Sequence, residues 1–244
     1  MQLKDKTALV TGANRGIGKS IVEELLAQGI GKVYATARNV KNLPNFGDIR
    51  VIPLELDITK SQQIQKVVEA AQDIQLLVNN AGVATSASFW TSDQDDLAYD
   101  MNVNYYGTIN MIKAFAPVLE KNAEAAIVNI ISVAGLAGIS MFSGYSASKA
   151  ALFSATQSIR ADLAPKNIHV VGVYPGPIDT DMAKDVPMDK TSPKIVAQNI
   201  VAGILENTEY IFPDPMSQQV GETWSKSPKA LEKQFAEPFV AHAN

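Results

Sequence analysis

Short apolar runs with the character of β-strands alternate with longer amphipathic runs along most of this chain. The β-like runs are rich in Val, Ile, Leu and Ala and lie at residues 7–11, 32–36, 50–54, 74–78, 126–131, 168–173 and 210–212. Runs with helical periodicity lie between them, at 17–28, 60–71, 94–121, 145–163 and 193–206. Strands separated by helices form parallel sheets with right-handed crossovers. The order therefore predicts an α/β fold with a doubly wound parallel sheet.

Composition excludes several classes of protein. With no cysteine, the chain has no disulfide and no thiolate zinc site. Its two histidines, His169 and His242, have no second ligand at metal spacing, so we expect no metal. A net charge of −4 argues against a nucleic-acid partner.

The apolar run at residues 8–10 is too short for the core of a signal peptide. Residues 125–148 carry no charge, but polar side chains and glycines interrupt them, which favours a buried strand and a polar loop over a membrane span. We therefore expect a cytoplasmic protein with no membrane partner.

A glycine-rich turn follows the first β-like run. Residues 11–18 read TGANRGIG, so the glycines are spaced G-x-x-x-G-x-G. Glycines at such a turn let a pyrophosphate approach the N-terminus of the next helix, whose dipole and free N–H groups favour an anion. The pattern indicates a dinucleotide site, although alone it also fits a plain glycine-rich turn.

Tyr145 and Lys149 are four residues apart in a predicted helix and therefore share one face. An ammonium near a phenol favours the phenolate, so we expect the pKa of Tyr145 to fall towards the working range. Such a phenol can give a proton to a carbonyl oxygen or take one from an alcohol. Ser132 follows the fifth β-like run, at the edge where a parallel sheet presents ligand-contacting residues. Taken separately, these residues also fit a surface pair and a helix cap.

Five motifs together resemble the short-chain dehydrogenase/reductase family. They are the turn at 11–18, Asn-Asn-Ala-Gly at 79–82, Ser132 thirteen residues before Tyr145, Tyr145-x-x-x-Lys149, and Pro175–Gly176. The resemblance implies a single Rossmann-type domain over residues 1–244, with about seven parallel strands and helices on both faces.

The same resemblance implies four catalytic residues. Tyr145 would be the general acid/base, and Lys149 would hydrogen-bond the nicotinamide ribose and lower the Tyr145 pKa. Ser132 would orient and polarise the substrate oxygen. Asn104, in an N-x-x-G pattern, would provide a backbone distortion and a water relay to Lys149, although it also fits a packing asparagine.

Further positions would bind the cofactor by resemblance. Residues 79–82 would shape the adenosine side, Asp57 would touch the adenine, and Ile178 and Thr180 would hold the carboxamide. The full set is Gly12, Asn14, Arg15, Gly16, Ile17, Gly18, Arg38, Asp57, Ile58, Asn80, Ala81, Gly82, Tyr145, Lys149, Pro175, Gly176, Ile178 and Thr180.

Charge at the end of the second strand predicts which nicotinamide cofactor is used. An acidic residue there would bind the ribose 2′-OH of NAD and repel a 2′-phosphate. This chain has Ala37 at that position, followed by Arg38, with Arg15 in the glycine-rich turn. Two guanidinium groups can bind one phosphate, so we predict a preference for NADP(H) over NAD(H). The alternative is that both arginines are solvated surface charges.

Residues expected around the substrate are mostly apolar, which favours an uncharged carbonyl compound or secondary alcohol. Each could equally belong to the core. They are Val133, Ala134, Met141, Phe142, Tyr174, Met182, Val186 and Met188. The loop-like segment 181–193 could form a lid.

Two other kinds of function stay open from the sequence. A protein of this fold can bind nicotinamide as a non-catalytic sensor or scaffold, or catalyse epimerisation or dehydration. The resemblance also implies a homodimer or homotetramer packed through the 94–121 helix and the helix that carries Tyr145.

Overall fold

Seven parallel strands form one sheet, in the order β3-β2-β1-β4-β5-β6-β7. The structure is a computed structural model and describes residues 1–184 and 188–240. The strands are β1 Thr7–Val10, β2 Lys32–Ala37, β3 Val51–Glu55, β4 Leu76–Asn79, β5 Ala125–Ile130, β6 Ile168–Val173 and β7 Tyr210–Ile211. From β1 the chain adds β2 and β3 on one side and then β4 to β7 on the other. This reversal of direction at β1 confirms the predicted doubly wound sheet.

Helices cover both faces of the sheet. They are α1 Gly16–Ala27, α2 Ser61–Ala70, α3 Gln94–Asp100, α4 Thr108–Leu119, α5 Ser143–Leu163, α6 Pro193–Leu205, α7 Pro215–Lys226 and α8 Pro228–Val240. On one face α1 packs with α6, where Ile21 and Leu25 join the core cluster of Val196 and Ile200. On the other, α2, α4 and α5 share a second apolar cluster. Burial of both faces explains why the strands are almost wholly apolar.

The long helix predicted at 94–121 is divided. A π-helical segment, Met101–Gly107, joins α3 to α4. A π-helical turn inside an α-helix commonly marks a functional site. This one contains Asn104, where the family resemblance implies a backbone distortion.

The C-terminal region from residue 213, which has weak periodicity in the sequence, folds as α7 and α8. Leu231 of α8 is fully buried against Val133 and Val220. These helices therefore cover the loop that follows β5.

The segment predicted as a lid, 181–193, begins with a short 3₁₀ turn at Asp181–Ala183. An isolated bridge pairs Ile178 with Thr191 and closes the loop at its base. Val186, which was expected to line the substrate pocket, lies outside the described residues. Within the described part of the chain, none of the helices has the length and apolarity needed to cross a membrane.

Candidate active site

The glycine-rich turn lies between β1 and α1, at the carboxyl edge of the sheet. Asn80, after β4, holds the turn through its side-chain Nδ2, which donates to the carbonyl oxygens of Thr11 at 2.9 Å and Gly12 at 3.0 Å. The Thr11 hydroxyl accepts hydrogen bonds from the backbone N–H groups of Asn80 and Ala81, each at 2.9 Å. The turn after β1 and the loop after β4 therefore form one bonded unit.

Close backbone approach explains the glycines of this turn. A methyl group at Gly18 would overlap the Gly12 carbonyl oxygen, and one at Gly12 would lie 2.9 Å from the Ala81 Cα. Gly16, at the first position of α1, has a φ of +54°. The result is a concave backbone surface at a helix N-terminus, which fits the pyrophosphate of a dinucleotide.

The loop after β4 lies next to the π-helical segment and α5. A methyl group added to Gly82 would lie 3.0 Å from Asn104 Oδ1 and 3.6 Å from Lys149 Nζ. Asn79, expected at the adenosine side, is instead buried and donates to Asn129 Oδ1 at 2.9 Å. Asn79 therefore joins β4 to β5, and Asn80–Gly82 form the accessible part of the motif.

Asn104 is completely buried in the π-helical segment. Its side chain accepts from the Val83 N–H at 2.8 Å and donates to the Val83 carbonyl at 2.8 Å. It also donates to Ser148 Oγ at 2.9 Å. These bonds tie the loop after β4 to α5, and the water relay to Lys149 stays a prediction.

Ser132, Tyr145 and Lys149 converge beside the dinucleotide turn. Ser132 follows β5; its hydroxyl accepts from the Ala134 N–H at 3.1 Å and donates to the Pro175 carbonyl at 3.4 Å. Lys149 is buried, its Nζ donating to the Ile130 carbonyl at 2.8 Å and lying 5.6 Å from the centre of the Tyr145 ring. A phenol, an ammonium and a hydroxyl group thus lie together after β5 and in the first turns of α5.

The expected fall in the Tyr145 pKa does not occur. Burial raises the pKa of this phenol to about 12, and the charge of Asp100 adds to the rise, while a hydrogen bond with Ser132 opposes it. Burial also lowers the pKa of Lys149 to about 8, against the opposing effect of Asp100. The ammonium lies over the ring face, where it does not offset the cost of burying a phenolate.

The loop after β6 carries Pro175, Gly176, Ile178 and Thr180. Ile178 is buried, and the Thr180 hydroxyl donates to the Ile178 carbonyl at 3.3 Å. A Cβ added to Gly16 would lie 3.0 Å from Thr180 Cγ2, so this loop closes over the start of α1. The residues expected at the nicotinamide therefore lie at the same edge of the sheet as the glycine-rich turn.

Asp214 was not identified from the sequence. It is buried, caps α7 by accepting from the Ser217 N–H at 2.9 Å, and accepts from the Gly176 N–H at 2.9 Å. The sequence Asp214-Pro-x-Ser217 is a signal for a helix start, because Asp is a favoured N-cap and Pro a favoured first residue. That signal does not indicate contact with Gly176.

The residues expected at the adenosine half of the cofactor, Arg38 at the ribose and Asp57 at the adenine, follow β2 and β3. Ala37 ends β2 and Arg38 is exposed. Burial raises the pKa of Asp57, but hydrogen bonds from Thr59 and the charges of Lys60 and Arg38 outweigh it, so the carboxyl stays below its usual pKa.

Ile58, expected beside the cofactor, is buried, and a Cβ on Gly107 would lie 2.8 Å from its Cγ1. Ile17 packs partly against the core of the α1 face. Asn14 is half-buried in the turn. Arg15 forms an exposed ion pair with Asp181, which links the turn to the segment predicted as a lid.

The residues expected around the substrate fall into two groups. Met141, Met182 and Met188 are more than half exposed, and Phe142 is half-buried just before α5. Val133 and Ala134 are buried, and Val133 packs against α7 and α8.

Tyr174 is fully buried and stacks on Tyr210 and Phe212, so it belongs to the core and not to the pocket.

His169 takes no part in this site. His169 lies near the start of β6, away from the carboxyl edge, and burial lowers its pKa. His242 lies outside the described residues. No group of three or more metal-ligating side chains occurs in the described part of the chain.

Comparison with known proteins agrees with this geometry. A family model described as short chain dehydrogenase matches residues 6–191. A 3-oxoacyl-[acyl-carrier-protein] reductase of Thermotoga maritima is 34% identical over 197 residues, which cover 77% of this chain and 80% of that protein.

Two solved structures share the fold and differ in cofactor. A short chain dehydrogenase from Burkholderia cenocepacia J2315, in complex with NADP, has a TM-score of 0.91 and 36% identity, covering 96% of this chain and 99% of that chain. A short chain dehydrogenase/reductase from Burkholderia phymatum, in complex with NAD, has a TM-score of 0.81 and 25% identity, covering 96% of both chains.

Proposed function

We propose that this chain, which belongs to the short-chain dehydrogenase/reductase family, is an oxidoreductase that transfers a hydride between NADP(H) and a carbonyl or secondary alcohol group of a small, mainly apolar substrate. One observation carries the proposal. Ser132, Tyr145 and Lys149 converge at the sheet edge where the glycine-rich turn forms a cradle for a pyrophosphate.

The chain's own residues perform the proton chemistry. When bound, the nicotinamide cofactor supplies or accepts the hydride. With a pKa of about 12, Tyr145 is protonated at neutral pH and can donate its proton to a carbonyl oxygen as the alcohol forms. The Ser132 hydroxyl can hydrogen-bond the same oxygen. Lys149 holds a positive charge beside the phenol below a pH of about 8.

The cofactor preference rests on charge. Arg38 directly follows β2, and the last residue of β2 is Ala37 instead of an acidic residue. Arg15 lies in the neighbouring glycine-rich turn. A guanidinium fits a 2′-phosphate by paired hydrogen bonds. The Arg15–Asp181 ion pair is exposed and therefore weak, so Arg15 can exchange this partner for a phosphate.

Steady-state kinetics with NADPH and NADH test this preference. The wild type should have the higher kcat/KM with NADPH, and Arg38→Asp should reverse the order, because a carboxylate repels the 2′-phosphate and accepts from a 2′-OH. Lys41→Asp, at an exposed position on the same loop, is the control for a general charge effect. Equal or better efficiency of the wild type with NADH would contradict the proposal.

Three exposed methionines favour an apolar substrate. Met141, Met182 and Met188 lie on the loop before α5 and on the proposed lid. Methionine adapts to varied apolar shapes. We propose that segment 181–193 closes over the substrate; protease cleavage of this segment should then slow when cofactor and ketone are both present.

A panel of ketones with NADPH, followed at the nicotinamide absorbance band, separates the classes of function. Tyr145→Phe should abolish turnover and leave NADPH affinity nearly unchanged, because it removes only the phenolic hydroxyl group. Wild-type turnover in this variant would remove Tyr145 as the acid. A wild type that binds NADPH and reduces no ketone would instead favour the sensor or scaffold, or an epimerase or dehydratase.

Assembly as a homodimer or homotetramer is part of the proposal. Tyr99 on α3 and Tyr106 in the π-helical segment are 40% and 55% exposed, which supports an interface there. Sedimentation of the wild type and of a Tyr99→Ser, Tyr106→Ser variant tests it. A cytoplasmic location stays a prediction.

A further inference from the structure

Asp100, the last residue of α3, is a completely buried carboxylate. Among the residues whose burial the structure describes, the buried charged side chains are Asp100, Lys149 and Asp214. Burying a charge is costly unless hydrogen bonds and other charges compensate it. The surroundings of Asp100 therefore indicate what its charge does.

Both carboxylate oxygens of Asp100 have partners. Oδ1 accepts from the Thr85 N–H at 3.1 Å, and Oδ2 accepts from the Thr85 hydroxyl at 2.6 Å. A Cβ on Gly144 would lie 3.1 Å from Oδ2. The carboxylate thus lies between the loop after β4 and the first turn of α5, one residue before Tyr145.

Every second residue of the loop after β4, at Val83, Thr85 and Ala87, is hydrogen-bonded to a neighbouring element. Asn104 binds both backbone groups of Val83, Asp100 binds Thr85, and the Gly144 N–H donates to the Ala87 carbonyl at 3.2 Å. Asp100 supplies the middle of three attachments. Without it, the described attachments would be those of Val83 to the π-helical segment and of Ala87 to α5.

Asp100 also acts on the catalytic pair through its charge. It is the one charged group that contributes to the pKa values of both Lys149 and Tyr145, and it raises both. β5 and the π-helical segment present no charged side chain to Lys149. Tyr105 of that segment packs instead against the cluster containing Ile131.

The charged groups facing Asp100 itself are Lys149 on α5 and Asp96 on its own helix. Burial raises the pKa of Asp100, and Asp96 adds to the rise, whereas the Thr85 hydrogen bonds and Lys149 oppose it. Burial outweighs the donors on both oxygens, so the pKa of Asp100 lies above its usual value.

We propose that Asp100 is a positioning residue for the reaction: it fixes the loop after β4 against the start of α5 and supplies the buried negative charge that faces Lys149 and Tyr145. This proposal rests on the proposed function for its kinetic readout. Its structural and titration readouts need no turnover.

Asp100→Asn is the decisive variant, because an amide of the same size removes the charge. The basic limb of the kcat/KM profile for carbonyl reduction should move to lower pH by about one unit, since a neighbouring buried charge shifts a pKa by that order. We expect kcat to fall about tenfold and KM for NADPH to change much less, because the cradle at 11–18 is untouched.

Titration of Lys149 by ¹³C NMR, with Lys149→Arg for assignment, should show the same downward shift in the apoprotein. Asp96→Asn is the matched control; it removes an exposed carboxylate one turn away on the same helix and should leave both the limb and kcat nearly unchanged. An unchanged limb and an unchanged lysine titration in Asp100→Asn would overturn the proposal.

Thr85→Val gives a second test that does not depend on folding of Asp100→Asn. It removes one hydrogen bond and keeps the charge, so amide hydrogen exchange at Thr85 and Gly144 should accelerate, and kcat should fall without a shift of the limb. Unchanged amide exchange together with an unchanged kcat in Thr85→Val would contradict the positioning role of Asp100. If the wild type reduces no ketone, the proposed function fails, and the titration and exchange data still decide on Asp100.

Discussion

Lys149 is an ionisable side chain in the protein interior, and its burial makes the free energy of unfolding depend on pH. Its side chain is 5% exposed, and burial lowers its pKa from 10.5 to about 8. Above pH 10.5 the lysine is neutral in both folded and unfolded chains. As the pH falls towards 8, the unfolded chain binds a proton that the folded chain does not, so stability is lost over this interval and stays lost below it.

Lys149→Met should therefore stabilise the protein relative to the wild type as the pH falls from about 10.5 to 8. The gain should reach at most about 3.5 kcal/mol, at about 1.4 kcal/mol for each pKa unit. Loss of the hydrogen bond from Lys149 to the Ile130 carbonyl reduces this gain in stability. The measurement is urea unfolding across this pH range, with Lys113→Met, at an exposed position of α4, as the control. A Lys149→Met difference that is constant with pH would refute the stability argument.

At the scale of elements, α7 connects the C-terminal region to the site. Its N-cap, Asp214, binds Ser217 with one carboxylate oxygen and the Gly176 N–H with the other. The capping box also includes the Ser217 hydroxyl. One side chain thus starts a helix and positions the loop expected at the nicotinamide, so changes to α7 should reach cofactor binding.

Asp214→Ala should lower stability by about 2 kcal/mol, because it removes a buried N-cap and leaves the Gly176 N–H without its partner. It should also raise the NADPH dissociation constant several-fold, measured by fluorescence titration. Asp93→Ala is the matched control, since Asp93 caps α3 from an exposed position. That variant should lose about 1 kcal/mol and keep its NADPH affinity. Equal NADPH affinity in both variants would rule out the link.

At the scale of the molecule, the described strands share one sheet and the C-terminal helices pack on the catalytic region. Val133, directly after Ser132, meets Val220 of α7 and Leu231 of α8. The prediction that residues 1–244 act as one domain therefore requires α8 to unfold together with the sheet.

Leu231→Ala should lower the free energy of unfolding by about 3 kcal/mol, the usual cost of removing a buried leucine side chain. Unfolding followed by near-ultraviolet circular dichroism and by backbone ellipticity should stay a single coincident transition. Lys229→Ala, exposed on the same helix, should change stability by no more than about 0.5 kcal/mol. Two separate transitions in the wild type would show that α8 folds independently.

Sequence alone accounted for the features that depend on local spacing. The alternation of β-like and helical runs predicted the sheet, and the periodicity of 145–163 placed Tyr145 and Lys149 on one face, because helix and strand geometry relate neighbours in the chain directly. The glycine-rich turn was recognisable because its backbone needs are met only by particular residues at fixed positions.

Only the tertiary structure decided which distant groups meet and which charges are buried. Asp214 meets Gly176 across 38 residues, and Asp100 meets Thr85 across 15. The Tyr145 pKa was predicted in the wrong direction because spacing places Lys149 near the ring but says nothing of desolvation. Burial and long-range contact depend on the packing of the whole chain, so no local pattern determines them.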